Sequence, residues 1–180
     1  MVSVRKKTRS KEDKNLISEL DQQIRSYVQE YGNCKDSELL DQAISDINKH
    51  HKNQTRKSGQ PVIIHPLRVA NYICRAGLDA PTVVAALLHD IIEDTKITHK
   101  DIQKRYGNWY ADIVKGLTKI KKTEKTKIEA GDNIEATYQR MLKTMAQDVR
   151  ALIIKLFDRL DNMRDMESMP RNKQRRISLE

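Results

Sequence analysis

Aromatic side chains are scarce in this chain, with one Phe and one Trp among 180 residues. A core of this size must therefore be built from Leu, Ile, Val, Ala and Met. Glycine and proline are also few, at 6 and 4, and no long run alternates polar with apolar residues. The lack of turn punctuation and of period-two patterning argues against a β-rich fold and for an all-α chain. The 2 cysteines, Cys34 and Cys74, form no CxxC pair. That argues against a disulfide framework or a thiolate zinc site and suits free thiols in a reducing compartment. No apolar stretch is long enough to span a bilayer, and no apolar segment follows the basic N-terminus, so a cytoplasmic protein with no membrane partner is expected.

Positive charge is abundant. Lys and Arg number 34 against 25 acids, a formal net charge of +9. Such a surface suits an anionic partner, either a polyphosphorylated small molecule or nucleic acid, although a well-solvated surface reads the same way. The length fits one domain with a real core. Residues 1–10 read as a basic, frayed N-terminus and 11–180 as the domain.

Helical spacing organises the chain. Leu16, Ile17, Leu20, Ile24, Val28 and Tyr31 outline a first helix from Lys11 to Tyr31, closed by Gly32 and Asn33. Asp36 or Ser37 then suits an N-cap for a second, whose apolar side is Leu39, Leu40, Ala43, Ile44 and Ile47. His50 and His51 follow, and their adjacency favours surface positions over ligation. Gln54 to Pro61 is a polar loop containing Arg56, Lys57, Ser58 and Gly59, of a kind that suits phosphate or base contacts. His65 precedes Pro66, which pushes it toward extended backbone at a helix entrance.

The stretch from Pro81 to Thr95 is the centre of the sequence. Pro81 suits a first helical turn, and the residues after it are apolar on nearly every side, as in a buried helix. The last turn of that helix presents His89, Asp90, Glu93 and Asp94, which share a sector of roughly 140°. Three carboxylates and an imidazole so crowded repel one another, and a divalent cation removes the conflict. Thr98 to Asp101 reads as a capping pattern, and Trp109, Tyr110, Ile113, Val114 and Leu117 outline a further helix. A lysine-rich polar interval, expected to be a mobile loop, runs from Lys121 to about Asn133. Helical spacing resumes from Ile134 to Met145, and Asp148 can cap a last helix. There Val149, Leu152, Ile153, Leu156, Leu160 and Met163 form an apolar stripe, with Asp158 and Asn162 opposite beside Ala151 and Ile154. That pattern predicts a helix buried on two faces. A purely structural reading pairs Asp158 with Arg159 or Arg164.

His65, His89, Asp90 and Asp158 together offer two imidazoles and two carboxylates from three helical regions. Mixed nitrogen and oxygen donors suit Mn, Fe or Zn. A bound ion would acidify water and polarise a phosphoryl oxygen, while Glu93 and Asp94 could orient that water or take its proton. Hydrolysis of a phosphate ester is the chemistry this favours.

The spaced pattern H…HD…D resembles the HD superfamily of metal-dependent phosphohydrolases. More specific words are His51-Lys-Asn-Gln-Thr-Arg56-Lys-Ser-Gly59, Ile64-His-Pro-Leu-Arg-Val-Ala70, Ala85-Ala-Leu-Leu-His-Asp-Ile-Ile-Glu-Asp-Thr95, Gly116-Leu-Thr-Lys119 and Ile154-Lys-Leu-Phe-Asp-Arg-Leu-Asp-Asn-Met-Arg164. From about residue 36 onward they resemble the hydrolase domain of the RelA/SpoT-homologue alarmone enzymes. That resemblance implies an HD-type bundle of roughly eight to ten helices around one metal site. It also implies a Mn²⁺-dependent hydrolase that removes the 3′-pyrophosphate from (p)ppGpp, guanosine tetra- or pentaphosphate. In it His65, His89, Asp90 and Asp158 match metal ligands, and Glu93 and Asp94 match the catalytic acids. Arg56 matches the residue packing on guanine, with Lys57 and Ser58 beside it, and Asn162 matches a nucleoside contact. The chain is then expected to be the N-terminal part of a longer bifunctional enzyme, with ribosome or RNA contact only through regions beyond it. Two positions depart from the family: Asp161 stands where His is usual and Asp165 where Thr is usual. Acids there weaken binding of an anionic substrate unless they point away or meet a cation. Competing readings are an HD phosphohydrolase for another nucleotide, and a catalytically silent regulatory domain that binds RNA.

Overall fold

The computed structural model describes residues 10–52, 54–56, 58–118, 130–168, 171–172 and 174–175. The chain runs through α1 (Lys11–Tyr31), α2 (Cys34–His50), α3 (Ile64–Arg75), α4 (Ala80–Leu88) and α5 (Ile91–Asp94). It continues through α6 (His99–Tyr106), α7 (Asn108–Leu117), α8 (Ala130–Gln147) and α9 (Val149–Arg164), and a 3₁₀ turn covers Asp165–Ser168. The expected all-α bundle is borne out. Among the described residues there is no strand, only an isolated bridge between Thr55 and Pro61. No helix among them is long and apolar enough to cross a membrane. The expectations for residues 1–9, for Lys57, for residues 119–120 and for residues 121–129 of the lysine-rich interval fall outside the described residues.

The apolar run after Pro81 forms α4, the central helix, which α1, α2, α3, α7 and α9 surround. Asp79 starts it, its carboxylate accepting the Thr82 N–H at 3.1 Å, with Pro81 in the first turn where a missing N–H is harmless. Ala80 and every residue from Thr82 to Leu88 are buried. A nine-residue helix whose apolar side chains point all round is stable only because other helices cover every face. The position of His89 is therefore set by the best-packed segment of the core.

The single helix expected from Pro81 to Thr95 is interrupted. α4 ends at Leu88, and His89 and Asp90 form a turn before α5. His89 Nδ1 lies 2.7 Å from the Ala86 carbonyl, a partner that the backbone four residues on would otherwise supply. Asp90 has φ −101° and ψ −2°, and its carbonyl accepts the N–H groups of Glu93 and Asp94, each at 3.0 Å. The break separates the histidine from the acids that follow it, so their grouping does not come from one continuous helical face.

Local chemistry moves other boundaries. Asn33, not Asp36 or Ser37, caps α2, and Asp36 serves as the third-position partner of a capping box. His65 lies inside the first turn of α3 instead of in extended backbone. The turn begins early, with Ile64 N–H to Pro61 O and His65 N–H to Val62 O, both 3.2 Å, and burial of Ile63 and Ile64 holds it against the pre-proline preference. α8 starts at Ala130, ahead of the expected Ile134. His51, expected at the surface, is buried, with Nδ1 2.9 Å from Gln54 Oε1.

The largest correction concerns α9. Its buried face is Ala151, Ile154, Asp158 and Asp161, whereas Val149, Leu152, Leu156, Leu160 and Met163 are 39–60 % exposed. α9 packs on α3, α4, α7 and α8, and of the predicted apolar stripe only Ile153, half-buried, packs against the core, so the predicted second buried face does not form among the described residues. The helical periodicity holds, but the more apolar stripe is not the one turned inward.

α7 and α8 cross closely at Gly116. A methyl group added there would overlap the side chain of Thr144. Gly116→Ala is expected to destabilise the fold by about 1–3 kcal/mol, the range for overpacking a close contact. A thermal melt checks this, and an unchanged melting temperature would show that the two helices are free to separate.

Candidate functional site

His65 enters the site from the first turn of α3, His89 and Asp90 from the turn after α4, and Asp158 from the middle of α9. One donor atom from each of these four lies within 4.8 Å of every other. His65 Nε2 and His89 Nε2 are 3.2 Å apart. Asp90 Oδ2 is 3.1 Å from His89 Nε2 and 3.5 Å from His65 Nε2. Asp158 Oδ1 is 3.2 Å and 3.8 Å from the nitrogens of His65 and His89. Neighbouring donors on a six-coordinate ion, with bonds of about 2.0–2.3 Å, stand roughly 3 Å apart. The four donors thus fit one divalent cation in spacing, and as two nitrogens and two oxygens they fit it in chemistry.

The histidine rings are aimed by their outer nitrogens. His89 Nδ1 faces the Ala86 carbonyl, which can only accept, so Nδ1 donates and Nε2 turns its lone pair toward the cluster. Both histidines and Asp158 are buried, while the Asp90 side chain is 33 % exposed and opens the site to solvent. Burial alone would lower the pKa of His65, but hydrogen bonds to Asp158, Asp161 and Asp90 outweigh it and push it up to about 9. Burial opposes His89 in the same way, and Asp90 and Asp158 raise it nonetheless. Burial would raise both carboxylates, yet the two imidazoles hold them below the usual carboxylate range. Without an ion, protons therefore do the work of the missing positive charge. His65 stabilises the metal-free fold fully below its ordinary pKa of 6.5 and loses that contribution as pH rises through about 9. A divalent cation must displace these protons. Metal binding near pH 7 is expected to release protons and to tighten toward pH 9. Calorimetry in buffers of different ionisation enthalpy measures this, and a buffer-independent heat would rule it out.

Glu93 and Asp94 fall in α5, half-buried, one turn beyond Asp90. Arg56 reaches the cluster from the loop before α3. The loop that carries it is closed by Arg56 N–H to Gln60 O at 2.7 Å and Gly59 N–H to Arg56 O at 2.9 Å, with Gly59 at φ +90°, where a side chain would be strained. The Arg56 guanidinium donates to Asn162 Oδ1 at 2.5 Å and to Asp165 Oδ2 at 2.8 Å. Asn162 in turn donates to Asp158 Oδ1 at 2.6 Å. The loop and the cluster are thus joined through α9. Ser58 is exposed at the loop tip and is not drawn into that network among the described contacts, while Lys57 lies outside the described residues.

Several participants are not evident from sequence. Lys155 Nζ is 2.7 Å from Asp158 Oδ2, so the carboxylate pairs with neither Arg159 nor Arg164. Arg68 and Tyr72 share the face of α3 that carries His65, and Asp161, followed by Asp165 at the C-cap of α9, continues the face that carries Asp158. Both sets follow an i, i+3, i+7 spacing, which a helix of about 3.6 residues per turn places on one side. That matched spacing is legible in the sequence, but which two helices face each other is not. The two family departures meet cations: Asp161 lies 3.5 Å from Arg56, and Asp165 lies 2.8 Å from Arg56 and 3.7 Å from Arg68.

An all-helical bundle holding a His, His-Asp and Asp donor set defines the HD class of metal-site domains, and residues 43–180 match the HD domain family model. The chain belongs to that family. It is 39 % identical over 168 residues to the bifunctional (p)ppGpp synthase/hydrolase SpoT of Escherichia coli K12, covering 92 % of this chain and 23 % of that protein. It is also 39 % identical over 144 residues to the guanosine-3′,5′-bis(diphosphate) 3′-pyrophosphohydrolase of Aquifex aeolicus, covering 80 % of this chain and 20 % of that one. The chain thus spans under a quarter of the length of these curated relatives. Among solved structures it resembles a metazoan ortholog of SpoT described as hydrolysing ppGpp and acting in starvation responses. There the TM-score is 0.61 at 27 % identity, covering 81 % of this chain and 80 % of the other.

Proposed function

We propose that this chain hydrolyses (p)ppGpp, removing the 3′-pyrophosphate to leave GDP or GTP, with Mn²⁺ as its metal. The observation that carries the reading is the convergence of His65, His89, Asp90 and Asp158 on one point, joined through Asn162 to Arg56. Similarity to the 3′-pyrophosphohydrolase of Aquifex aeolicus and to the metazoan ortholog supports the choice of substrate. The four residues would hold the ion, and mixed nitrogen and oxygen donors suit Mn²⁺ better than a thiolate-seeking metal. When bound, such an ion supplies Lewis-acid polarisation of a phosphoryl oxygen and a more acidic water.

The chain's own groups do the rest. Glu93 and Asp94, one turn past Asp90, would take the proton of the attacking water. Lys155, held against Asp158, puts a cation at the edge of the site, where it would offset negative charge on the phosphoryl oxygens under attack and on the ribose 3′-oxygen that leaves. Arg56 offers a planar cation for packing on guanine, and Asn162 an amide for the nucleoside. The net charge of +9 favours a substrate bearing two polyphosphate arms. Both cysteines are free, and Cys34 is exposed, which supports a reducing, cytoplasmic setting.

The direct test incubates the purified chain with ppGpp, GTP, dGTP and NADPH, with Mn²⁺ or with a chelator. Pyrophosphate release from ppGpp alone, abolished by the chelator, is the expected result. Turnover of another nucleotide in its place would replace the substrate assignment while keeping the reaction class.

A further inference from the structure

Asp161 has no role in the scheme above, yet it is the most completely buried acid of the site, at 0 % exposure. Its Oδ2 lies 2.7 Å from His65 Nδ1 and 3.5 Å from Arg56, and its Oδ1 lies 3.2 Å from the Tyr72 hydroxyl and 3.9 Å from Arg68. We infer that Asp161 is a positioning residue: its carboxylate fixes the His65 ring for the metal and ties that ring to Arg56, making the metal site and the nucleotide loop one hydrogen-bonded unit. This rests on the four-residue metal site proposed above.

The geometry allows one arrangement. An ionised carboxylate only accepts, so at 2.7 Å the proton between the two groups belongs to Nδ1. Once a metal displaces the second proton, the lone pair of the ring is on Nε2, the nitrogen that faces His89, Asp90 and Asp158. His89 is fixed the same way by the Ala86 carbonyl, so each imidazole has an acceptor behind it and an open lone pair in front. A carboxylate behind a ligating imidazole also raises its basicity, which a neutral carbonyl does less well. The unfavourable burial of the Asp161 charge is offset by Arg56, Arg68 and the Tyr72 hydroxyl, which Arg164 supports by donating to the Tyr72 oxygen at 2.6 Å.

Both oxygens of Asp161 accept, and this makes Asp161→Asn informative. The amide nearly preserves shape but turns one acceptor into a donor. It must present that donor either to His65 Nδ1, forcing the wrong tautomer, or to the Tyr72 and Arg68 side. Asp165→Asn is the matched control, because Asp165 shares the contacts with Arg56 and Arg68 but is not bonded to His65.

The test is calorimetric titration of the metal-free chain with Mn²⁺ alone, with circular dichroism to confirm folding. Asp161→Asn is expected to bind Mn²⁺ about 10- to 100-fold more weakly, the usual effect of losing such a partner. Asp165→Asn is expected to keep the wild-type affinity and to change KM for ppGpp only. Equal Mn²⁺ affinity in Asp161→Asn and wild type would overturn the proposal, as would an equal loss in both variants, which would mark a general charge effect. Failure of the wild-type chain to bind Mn²⁺ would instead overturn the metal site on which the proposal rests. If Asp161→Asn does not fold, ¹⁵N imidazole spectra of the wild-type chain loaded with diamagnetic Zn²⁺ decide. A proton on His65 Nδ1 supports the proposal, and a proton on Nε2 overturns it.

Discussion

Asp90→Ala is expected to lower ppGpp turnover by about a thousandfold or more, the equivalent of several kcal/mol of metal-derived transition-state stabilisation. It should do so without unfolding the chain. Asp90 stands in the turn between α4 and α5 with its side chain 33 % exposed, and its described side-chain partners are His65 and His89. Removing it deletes one candidate donor and leaves His89 beside Asp158 and His65 beside Asp158 and Asp161. Asp158 is a poorer choice for this purpose. It also accepts from Lys155 at 2.7 Å and from Asn162 at 2.6 Å, and its side chain is only 6 % exposed. Truncating it would strand a largely buried ammonium, a loss of roughly 3–5 kcal/mol, so lost activity there would be ambiguous. Steady-state assays over a Mn²⁺ series, beside a circular dichroism spectrum, separate the cases. An Asp90→Ala chain that keeps a wild-type rate would remove Asp90 from the metal set.

Glu93→Gln is the second large effect expected, and it should divide catalysis from metal binding. Glu93 lies one turn beyond Asp90 in α5, outside the four converging donors. Its charge is felt by Lys155 and Arg140, which places it near those two cations. A carboxylate there that takes a proton from water contributes about 10²–10⁴ in rate. The amide is nearly isosteric and cannot take that proton. The expected outcome is a fall in kcat of this size with Mn²⁺ affinity unchanged, measured by single-turnover hydrolysis and by titration. Parallel loss of Mn²⁺ binding would make Glu93 a ligand. Wild-type rates in both Glu93→Gln and Asp94→Asn would remove the pair from the proton transfer.

The residues of the site differ in how far their own sequence context points to them. His89 and Asp90 follow an apolar run too hydrophobic to be anything but buried, and a polar cluster at the end of such a run requires a partner by composition alone. The way they come together is different from what their spacing suggests. A shared sector of one continuous helix does not exist, because the chain turns at His89 and Asp90. The grouping survives because the turn aims both side chains toward α3 and α9. Asp158 has equal claims, on spacing, as a ligand or as a salt-bridge partner of Arg159 or Arg164. Its neighbours prove to be Lys155, Asn162 and His65, and the choice among them does not follow from the spacing of its own helix alone.

Periodicity, composition and capping residues by themselves determined that this chain is all helical, where most helices begin and end, and which side chains are polar inside an apolar context. These are local properties, settled by residues within a few turns of one another. Only the tertiary structure decided which stripe of α9 turns inward. Two stripes at helical spacing compete for the core, and the less apolar one, with Asp158 and Asp161, is buried because α3 meets it with His65, Arg68 and Tyr72. The same docking decided whether the acids at positions 161 and 165 repel a substrate or neutralise Arg56 and Arg68, since charge complementarity across two helices depends on their relative rotation and not on either sequence alone.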